Sequence, residues 1–251
     1  MNLLCVIRHV GERTLKEATR RAIKCFGEEN VVQINETPFF QAVIKTFELG
    51  EECSSKKFLL ALDADVLLTE DACSLISQEW EKYKQKYTSL FRLDYLVRDK
   101  FRGRVYAGCH LYLNEYSRNV VSFLKNKENS PTQKRPESSN VKAFASAFGL
   151  KSKDGKAIVG VHDFDQYYKH IYVKYLNRAI RDRESFLKIH EMIAEKKRNY
   201  PEDFDFTIAL AALDAVQKGD FKEMNTNAKL YPSIGKVLDE LGIVEKSSLD
   251  I

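Results

Sequence analysis

The sequence predicts an α/β protein with a mostly parallel sheet flanked by helices and a helical C-terminal part. Two observations carry this prediction. Apolar runs of strand length alternate with amphipathic helical stretches in the first part of the chain, and that order favours parallel pairing through right-handed crossovers. From Phe164 onward, apolar residues recur at helical spacing instead.

Three short apolar runs predict the first strands. We expect β-strands over Leu3–Ile7 and Val31–Asn35, and a third over the apolar run that ends at Asp63. The third run does not alternate apolar and polar residues, which is typical of a strand buried on both faces.

Two amphipathic helices connect these strands. Thr14 and Glu17 form a capping-box pattern ahead of the first helix, and Gly27 ends it. Thr37 and Pro38 have the residue types of a cap and a first helical position, and Gly50 closes the second helix.

Later elements follow from the same periodicities, and a further helix is expected directly after Glu70 and Asp71. The other predicted elements are strands at Ser89–Val97, Arg104–Leu113 and Ile158–His162, helices at Ser117–Leu124, Glu184–Lys197, Phe204–Gln217 and Ile234–Leu241, and a polar loop over Lys125–Asn140.

Composition and charge are those of an ordinary folded protein: 251 residues, 44% hydrophobic, 30% charged, with a net charge of +4. The five cysteines include no CxxC pair, which argues against a metal cluster or a disulfide framework. No apolar run reaches the roughly 20 residues that span a bilayer, and the N-terminus begins in a strand-like run without signal-peptide features. We therefore expect a cytoplasmic protein.

The most informative stretch is the strand that ends in Asp-x-Asp. Residues i and i+2 of an extended chain point the same way, so Asp63 and Asp65 are expected to converge. They would meet just beyond the carboxyl edge of the sheet, where open α/β sheets bind ligands. Hard divalent cations take oxygen ligands, so the pattern indicates a metal ion that carries a diphosphate.

The stretch Leu62-Asp63-Ala64-Asp65-Val66-Leu67 resembles the Asp-x-Asp motif of GT-A glycosyltransferases, in a form close to that of glycogenin-like enzymes. The resemblance implies a GT-A type nucleotide-sugar-binding domain at residues 1–165, with a helical subdomain at 166–251 packed on it. It also implies a Mn²⁺ or Mg²⁺ cofactor and transfer of a hexosyl group to an acceptor hydroxyl, retaining or inverting.

The same resemblance implies the site residues. His162, at the end of a late strand-like run, would join Asp63 and Asp65 as the third metal ligand, whereas Asp163 is expected to cap the following helix. Nucleotide-sugar contacts are implied for Arg8, His9, Val10, Glu12, Asn35, Asp63, Ala64, Asp65, Ala107 and Gly108.

Two positions in the predicted strand Arg104–Leu113 leave an alternative open. Tyr106 stands where glycogenin-like enzymes usually have Asn before the Ala-Gly pair, and an ordinary strand with a glycine bulge at Gly108 explains the pattern as well. His110 is expected to be a hydrogen-bonded strand histidine. The sequence identifies no catalytic residue; Asp94 and Glu115 are candidates for a base.

The implied partners are a nucleotide-sugar donor, with UDP-sugar favoured, and a glycan or other hydroxyl acceptor. No nucleic-acid module is present in the sequence, and peripheral contact with a membrane stays open. Two other classes compete: a nucleotidyltransferase on a similar sheet, and a non-enzymatic scaffold of the same fold. The first is disfavoured because Gly11 is the only glycine in the loop after the first strand.

Overall fold

The computed structural model describes residues 1–103, 105–126, 136–218 and 231–249. The chain divides into two compact units, Met1–Phe164 and Asp165–Asp250. The first unit is α/β, and the described residues of the second unit form helices and their connections.

A seven-stranded mixed sheet forms the centre of the first unit. Its strands are β1 (Leu3–Arg8), β2 (Val31–Ile34), β3 (Phe58–Asp63), β4 (Val66–Leu68), β5 (Leu90–Asp99), β6 (Val105–Leu113) and β7 (Lys151–His162). They lie in the order β2-β1-β3-β6-β5-β7-β4. Only β6 and β4 run against their neighbours, so five of the seven strands share one direction. The predicted α/β class, with a mostly parallel sheet flanked by helices and a helical C-terminal part, is confirmed.

The described helices agree with the predicted pattern, except for a short helix over Lys142–Ala147 that was not predicted. Those of the first unit are α1 (Leu15–Phe26), α2 (Phe39–Glu52), α3 (Ala72–Lys86), α4 (Ser117–Lys125) and α5 (Lys142–Ala147). Those of the second unit are α6 (Tyr168–Arg181), α7 (Phe186–Asn199), α8 (Phe204–Gln217) and α9 (Tyr231–Leu241). Within that unit, α6 packs on α8 and α9, and α7 packs on α8. None of the helices in the described part of the chain has both the length and the apolar character needed to cross a membrane.

Each face of the sheet has its own apolar core. On one face, Trp80 of α3 packs edge-on against Phe58 of β3, with ring centroids 5.1 Å apart. On the other face, Phe47 of α2 and Phe91 of β5 both pack against Tyr112 of β6. Burial of each such side chain stabilises the fold by about 2–3 kcal/mol, so the sheet is a rigid support for the residues at its carboxyl edge.

The predicted capping box at the start of α1 is wrong. The hydroxyl of Thr14 makes no cap bond and donates instead to the carbonyl of Ala64, at 2.7 Å. Glu17 accepts hydrogen bonds from Arg20 and Arg21 on its own helix. A partner 50 residues away in the chain therefore takes the hydroxyl that the local pattern assigned to the helix end.

Other predicted boundaries also need correction. Helix α2 begins at Phe39 with Pro38 as its cap and continues past Gly50 to Glu52. Within the predicted loop Lys125–Asn140, residues 127–135 lie outside the described part. Pro136–Val141 forms one π-helical turn that leads into α5, so the loop prediction is wrong there.

Candidate functional site

Strand register brings distant parts of the chain to one edge of the sheet. In the parallel pair β5–β7, Asp99 lies opposite His162, and both strands end there. In the antiparallel pair β4–β7, Val66 lies opposite His162, and β4 begins there. Asp65, one residue before Val66, is therefore placed beside the end of β7.

Three potential metal ligands meet at this point. Asp65, His162 and Asp163 each offer a ligand atom, and these atoms lie within 4.8 Å of one another. We call these three residues the acidic cluster. Nε2 of His162 lies 3.2 Å from Oδ2 of Asp65, and Nδ1 lies 3.3 Å from Oδ2 of Asp163. Like-charged carboxylates held this close repel one another, and a bound divalent cation relieves that repulsion.

Asp163 is not the helix cap that its sequence position predicts, because α6 begins five residues later, at Tyr168. Its backbone has φ of 62°, a left-handed conformation that Asp tolerates better than most residues. Its N–H donates to the carbonyl of Asp65, at 3.1 Å. The turn after β7 is thus tied to the Asp-x-Asp turn, and Asp163 lies beside Asp65 and His162, two of the three predicted metal ligands.

Two further residues orient the imidazole of His162. Oδ2 of Asp99 lies 3.0 Å from Nδ1, and the hydroxyl of Tyr106 lies 2.7 Å from the same nitrogen. A carboxylate can only accept a hydrogen bond, so Asp99 favours a proton on Nδ1. Nε2, which lies 3.2 Å from Oδ2 of Asp65, is then the nitrogen that could coordinate a metal, as in histidines that a carboxylate orients.

Asp63 departs from the predicted convergence. Strand β3 ends at Asp63, so the alternation of an extended chain does not continue to Asp65. Ala64 turns the chain, because its N–H donates to the carbonyl of Arg8 and its carbonyl accepts from Thr14. Oδ1 of Asp63 accepts from Nε of Arg8 at 2.7 Å, and Asp63 is not among the atoms of the acidic cluster.

A second polar group crosses the face of the sheet behind Asp63. We call it the buried ion network, and its members are Arg8, Asp63, Arg92, Asp94, His110 and Glu137. Nδ1 of His110 lies 2.8 Å from Oδ1 of Asp94. Arg92 binds Asp94 through Nε and the carbonyl of Glu137 through a terminal nitrogen. Oε2 of Glu137 lies 2.9 Å from Arg8, so the network runs continuously to the site edge.

Charges within the network set the pKa values of its carboxyl groups. Burial alone would raise the pKa of Asp94, but His110 and Arg92 hold that pKa well below its usual range. Glu137 is likewise buried, yet Arg8, His110 and Arg92 lower its pKa to about 2. Burial raises the pKa of Asp63, the charge of Arg8 opposes this, and Asp65 adds to it.

The predicted contacts in the first loop are largely engaged within the protein. His9 donates its N–H to the carbonyl of Ile34, and Val10 donates its N–H to the side chain of Glu12. Burial raises the pKa of Glu12 to about 7, and the charges of Asp65 and Asp63 reinforce this. Asn35 is exposed after β2. Arg8 and Thr14, on either side of the loop, are both hydrogen-bonded to Ala64, so the loop lies close to the Asp-x-Asp turn.

The Ala-Gly pair in β6 forms a bulge, which confirms the alternative drawn from the sequence. Tyr95 pairs with Cys109 and Leu96 with Ala107, so Gly108 is the extra residue. A Cβ at Gly108 would lie 2.5 Å from Cγ2 of Val97. The glycine is required by a neighbouring side chain, whether or not a sugar also approaches it.

The contacts of the buried ion network decide two other expectations, those for His110 and Asp94. His110 is hydrogen-bonded within the sheet, as predicted. Asp94 is 1% exposed and bound to Arg92 and His110, so it is not available as a base for an acceptor. Sequence reasoning missed Asp99 and Glu137; the only signal for Asp99 was its place just past a predicted strand, and Glu137 lay in a segment predicted to be loop.

No protein-family model matches this sequence, and no curated protein matches it significantly. Among solved structures, a glycosyltransferase involved in the glycosylation of the major capsid of PBCV-1 is 10% identical, with a TM-score of 0.43 over 65% of this chain and 93% of that chain. CMP:2-keto-3-deoxy-manno-octonic acid synthetase complexed with CTP is 10% identical, with a TM-score of 0.38 over 64% and 91%.

A third similar structure is 4-diphosphocytidyl-2C-methyl-D-erythritol synthase from Anaerococcus prevotii DSM 20548. It is 12% identical, with a TM-score of 0.35 over 63% of this chain and 87% of that chain. TM-scores of 0.35 to 0.43 define neither a family nor an activity, so function must be argued from the site itself.

Proposed function

We propose that this protein is a metal-dependent glycosyltransferase that moves a sugar from a nucleoside-diphosphate sugar, with UDP-sugar favoured, to an acceptor hydroxyl. The observation that carries the proposal is the convergence of Asp65 from the Asp-x-Asp turn with His162 and Asp163 from the end of β7. This convergence lies at the carboxyl edge of an open α/β sheet, where such sheets bind ligands.

The donor atoms suit a divalent metal of the Mn²⁺ or Mg²⁺ kind. Two carboxylates and one imidazole are acceptable to Mn²⁺, and the hydrogen bond from His162 to Asp99 supplies the supporting contact that metal-bound histidines commonly have. When bound, the metal ion would act as a Lewis acid on the diphosphate. The ligand set that we propose is therefore Asp65, His162 and Asp163, with Asp163 in the place first assigned to Asp63.

Asp63 has a different part in this proposal. Arg8 donates a hydrogen bond to Oδ1 of Asp63. Oδ2 is therefore the oxygen that can accept a hydrogen bond from a hydroxyl group of the nucleotide-sugar. The carboxylate is 38% exposed at the edge of the sheet, whereas the Arg8 side chain behind it is 3% exposed. Asp63 thus contacts the donor, and Asp65 holds the metal.

A thermal-shift panel tests the proposal. The protein is heated with UDP-, GDP-, CMP- and dTDP-sugars, each with Mn²⁺ and with a chelator. We expect one class of nucleotide-sugar to raise the melting temperature in the presence of Mn²⁺ and to lose most of that effect when the metal is removed. No shift with any donor, or equal shifts with and without metal, would contradict it.

The panel also separates the two competing classes. Nucleoside triphosphates are included beside the sugars, because a nucleotidyltransferase binds a metal-bound triphosphate as its substrate. Stabilisation by CTP or UTP that exceeds stabilisation by any nucleotide-sugar would favour that class. A scaffold of the same fold would respond to neither set.

A further inference from the structure

The guanidinium of Arg8 lies between two carboxylates that come from distant parts of the chain. Nε donates to Oδ1 of Asp63 at 2.7 Å, and Nη1 lies 2.9 Å from Oε2 of Glu137. One face of the guanidinium also covers the ring of Phe39, 4.9 Å from its centroid. These contacts on three sides fix the guanidinium more firmly than a single ion pair would.

Glu137 is itself fixed from several directions. Its Oε1 accepts from the hydroxyl of Tyr112 at 2.7 Å, and its main-chain carbonyl accepts from Arg92 at 2.8 Å. Nε2 of His110 lies 3.5 Å from Oε2. Glu137 therefore transmits the rigidity of β5 and β6 to Arg8.

Side-chain exposure shows which of the three connected residues, Glu137, Arg8 and Asp63, can contact a ligand. The side chains of Arg8 and Glu137 are 3% and 8% exposed, whereas that of Asp63 is 38% exposed. The two buried groups cannot reach a donor directly, but they determine where the carboxylate of Asp63 stands. A carboxylate placed in advance binds a hydroxyl without losing side-chain entropy at that moment.

We propose that Arg8 and Glu137 are positioning residues for Asp63. Arg8 holds one carboxylate oxygen from behind and leaves the other for the donor, and Glu137 fixes Arg8. This inference rests on the proposed nucleotide-sugar site and adds to it two residues that contact neither the metal nor the donor.

Arg92 provides a matched control. Like Arg8 it is a buried arginine of the network that contacts Glu137, but its carboxylate partner is Asp94 and not Asp63. A lysine cannot bridge two groups as a guanidinium does. Arg8→Lys and Arg92→Lys should therefore cost similar folding stability. Arg8→Lys should disturb Asp63 directly, whereas Arg92→Lys should do so only weakly, through Glu137.

The experiment is calorimetric titration with UDP in the presence of Mn²⁺, with GDP, CDP and dTDP in parallel, and with Mn²⁺ alone. We expect Arg8→Lys to weaken binding of the preferred diphosphate by on the order of tenfold, as misplaced contact groups do. Glu137→Gln should weaken it in the same direction. Arg92→Lys should weaken it less than Arg8→Lys does, because Arg92 can affect Asp63 only through the carbonyl of Glu137, and Mn²⁺ affinity should be unchanged in all three variants.

A double-mutant cycle sharpens the test, because Asp63→Asn should cost little further affinity when Arg8→Lys is already present. Wild-type affinity in both Arg8→Lys and Glu137→Gln, equal losses in Arg8→Lys and Arg92→Lys, or additive losses in the cycle would overturn the inference. If Arg8→Lys does not fold, Glu137→Gln decides, since the amide keeps the shape of the side chain. A wild-type protein that binds none of the four diphosphates contradicts the proposed function itself.

Discussion

The two polar groups on either side of the Asp-x-Asp turn differ in how their charges are arranged. In the buried ion network, the guanidinium groups of Arg8 and Arg92 alternate with carboxylates. In the acidic cluster and its neighbour Asp99, three carboxylates contact the single imidazole of His162. Both groups contain a histidine beside an aspartate, so residue type alone does not distinguish them.

This difference in charge arrangement indicates which of the two groups is expected to bind a ligand. A buried network that alternates cations and anions satisfies its own charges and specifies how strands pack. A group rich in carboxylates at the edge of a sheet gains most from a cation that comes from outside the chain. Ala64 alone lies in the chain between Asp63 of the buried ion network and Asp65 of the acidic cluster, and the mutational predictions test whether the two groups are separate in function.

The largest expected effect is loss of metal-dependent nucleotide binding in Asp65→Asn. The substitution removes a proposed ligand charge and relieves repulsion within the acidic cluster, so folding stability should be kept or slightly raised. Thermal shift with a UDP-sugar and Mn²⁺ measures both properties at once. Asp71→Asn, an exposed aspartate nearby in sequence, is the matched control. Metal-dependent stabilisation that survives in Asp65→Asn would remove the residue from the site.

The second-largest effect is the pH dependence of the folding stability that Glu137 contributes to the buried ion network. Glu137 has a pKa of about 2 in the fold against an ordinary 4.5. Its contribution is therefore fully present above about pH 4.5 and is lost as the pH falls through about 2, with a total on the order of 3 kcal/mol. Urea unfolding of wild type and Glu137→Gln between pH 7 and pH 2 measures it. The wild type should lose more stability on acidification than Glu137→Gln does. Parallel plots of stability against pH for the two proteins would contradict a network in which Arg8 and Arg92 neutralise the charge of Glu137.

A smaller effect is expected when the pair His162–Asp99 is compared with the pair His110–Asp94. Asp99→Asn should weaken Mn²⁺ binding roughly tenfold, because a lost supporting contact to a ligand histidine costs about 10- to 100-fold. Asp94→Asn removes the partner of His110 and should lower folding stability without changing Mn²⁺ affinity. Calorimetric Mn²⁺ titration of both variants checks this. Equal Mn²⁺ affinities in the two variants would mean that Asp99 does not support the metal site.

The smallest effect concerns the hydroxyl that supports the turn. Thr14→Val removes a hydrogen bond to the carbonyl of Ala64 and should cost about 1 kcal/mol of stability, with a modest loss of nucleotide affinity. Thr46→Val is the control, because Thr46 is equally buried and bonds to Ala42 within its own helix. Chemical unfolding and UDP titration together should show that only Thr14→Val changes ligand binding.

Local patterns in the sequence were sufficient to predict most of the elements. The bounds of α8, Phe204–Gln217, agree with the prediction residue for residue, and the side chain of Asp203 caps its first turn. The end of β7 at His162 was also predicted, but the strand begins at Lys151, seven residues before the predicted start at Ile158. Where periodicity and stop signals agree with tertiary packing, the sequence is enough.

The remaining features depend on contacts that no local pattern contains. Asp63 meets Arg8 because the β1–β3 register places them opposite each other. Asp163 joins the acidic cluster because a left-handed backbone turn follows β7, and helix-cap statistics predicted another role for it. Glu137 reaches Arg8 from a segment more than a hundred residues later in the chain. Such pairings follow from register and packing, which only the folded structure specifies.

Calorimetric Mn²⁺ titration of wild type and His162→Ala, with UDP present, tests the central claim most directly. His190→Ala is the matched control, because His190 also lies beside an aspartate, Asp214, but in the helical unit. The proposed site predicts one Mn²⁺ bound per chain in wild type and His190→Ala, and a large loss of affinity in His162→Ala, measured at a temperature where circular dichroism shows all three metal-free proteins to be folded. Equal Mn²⁺ affinity in all three proteins would contradict the account.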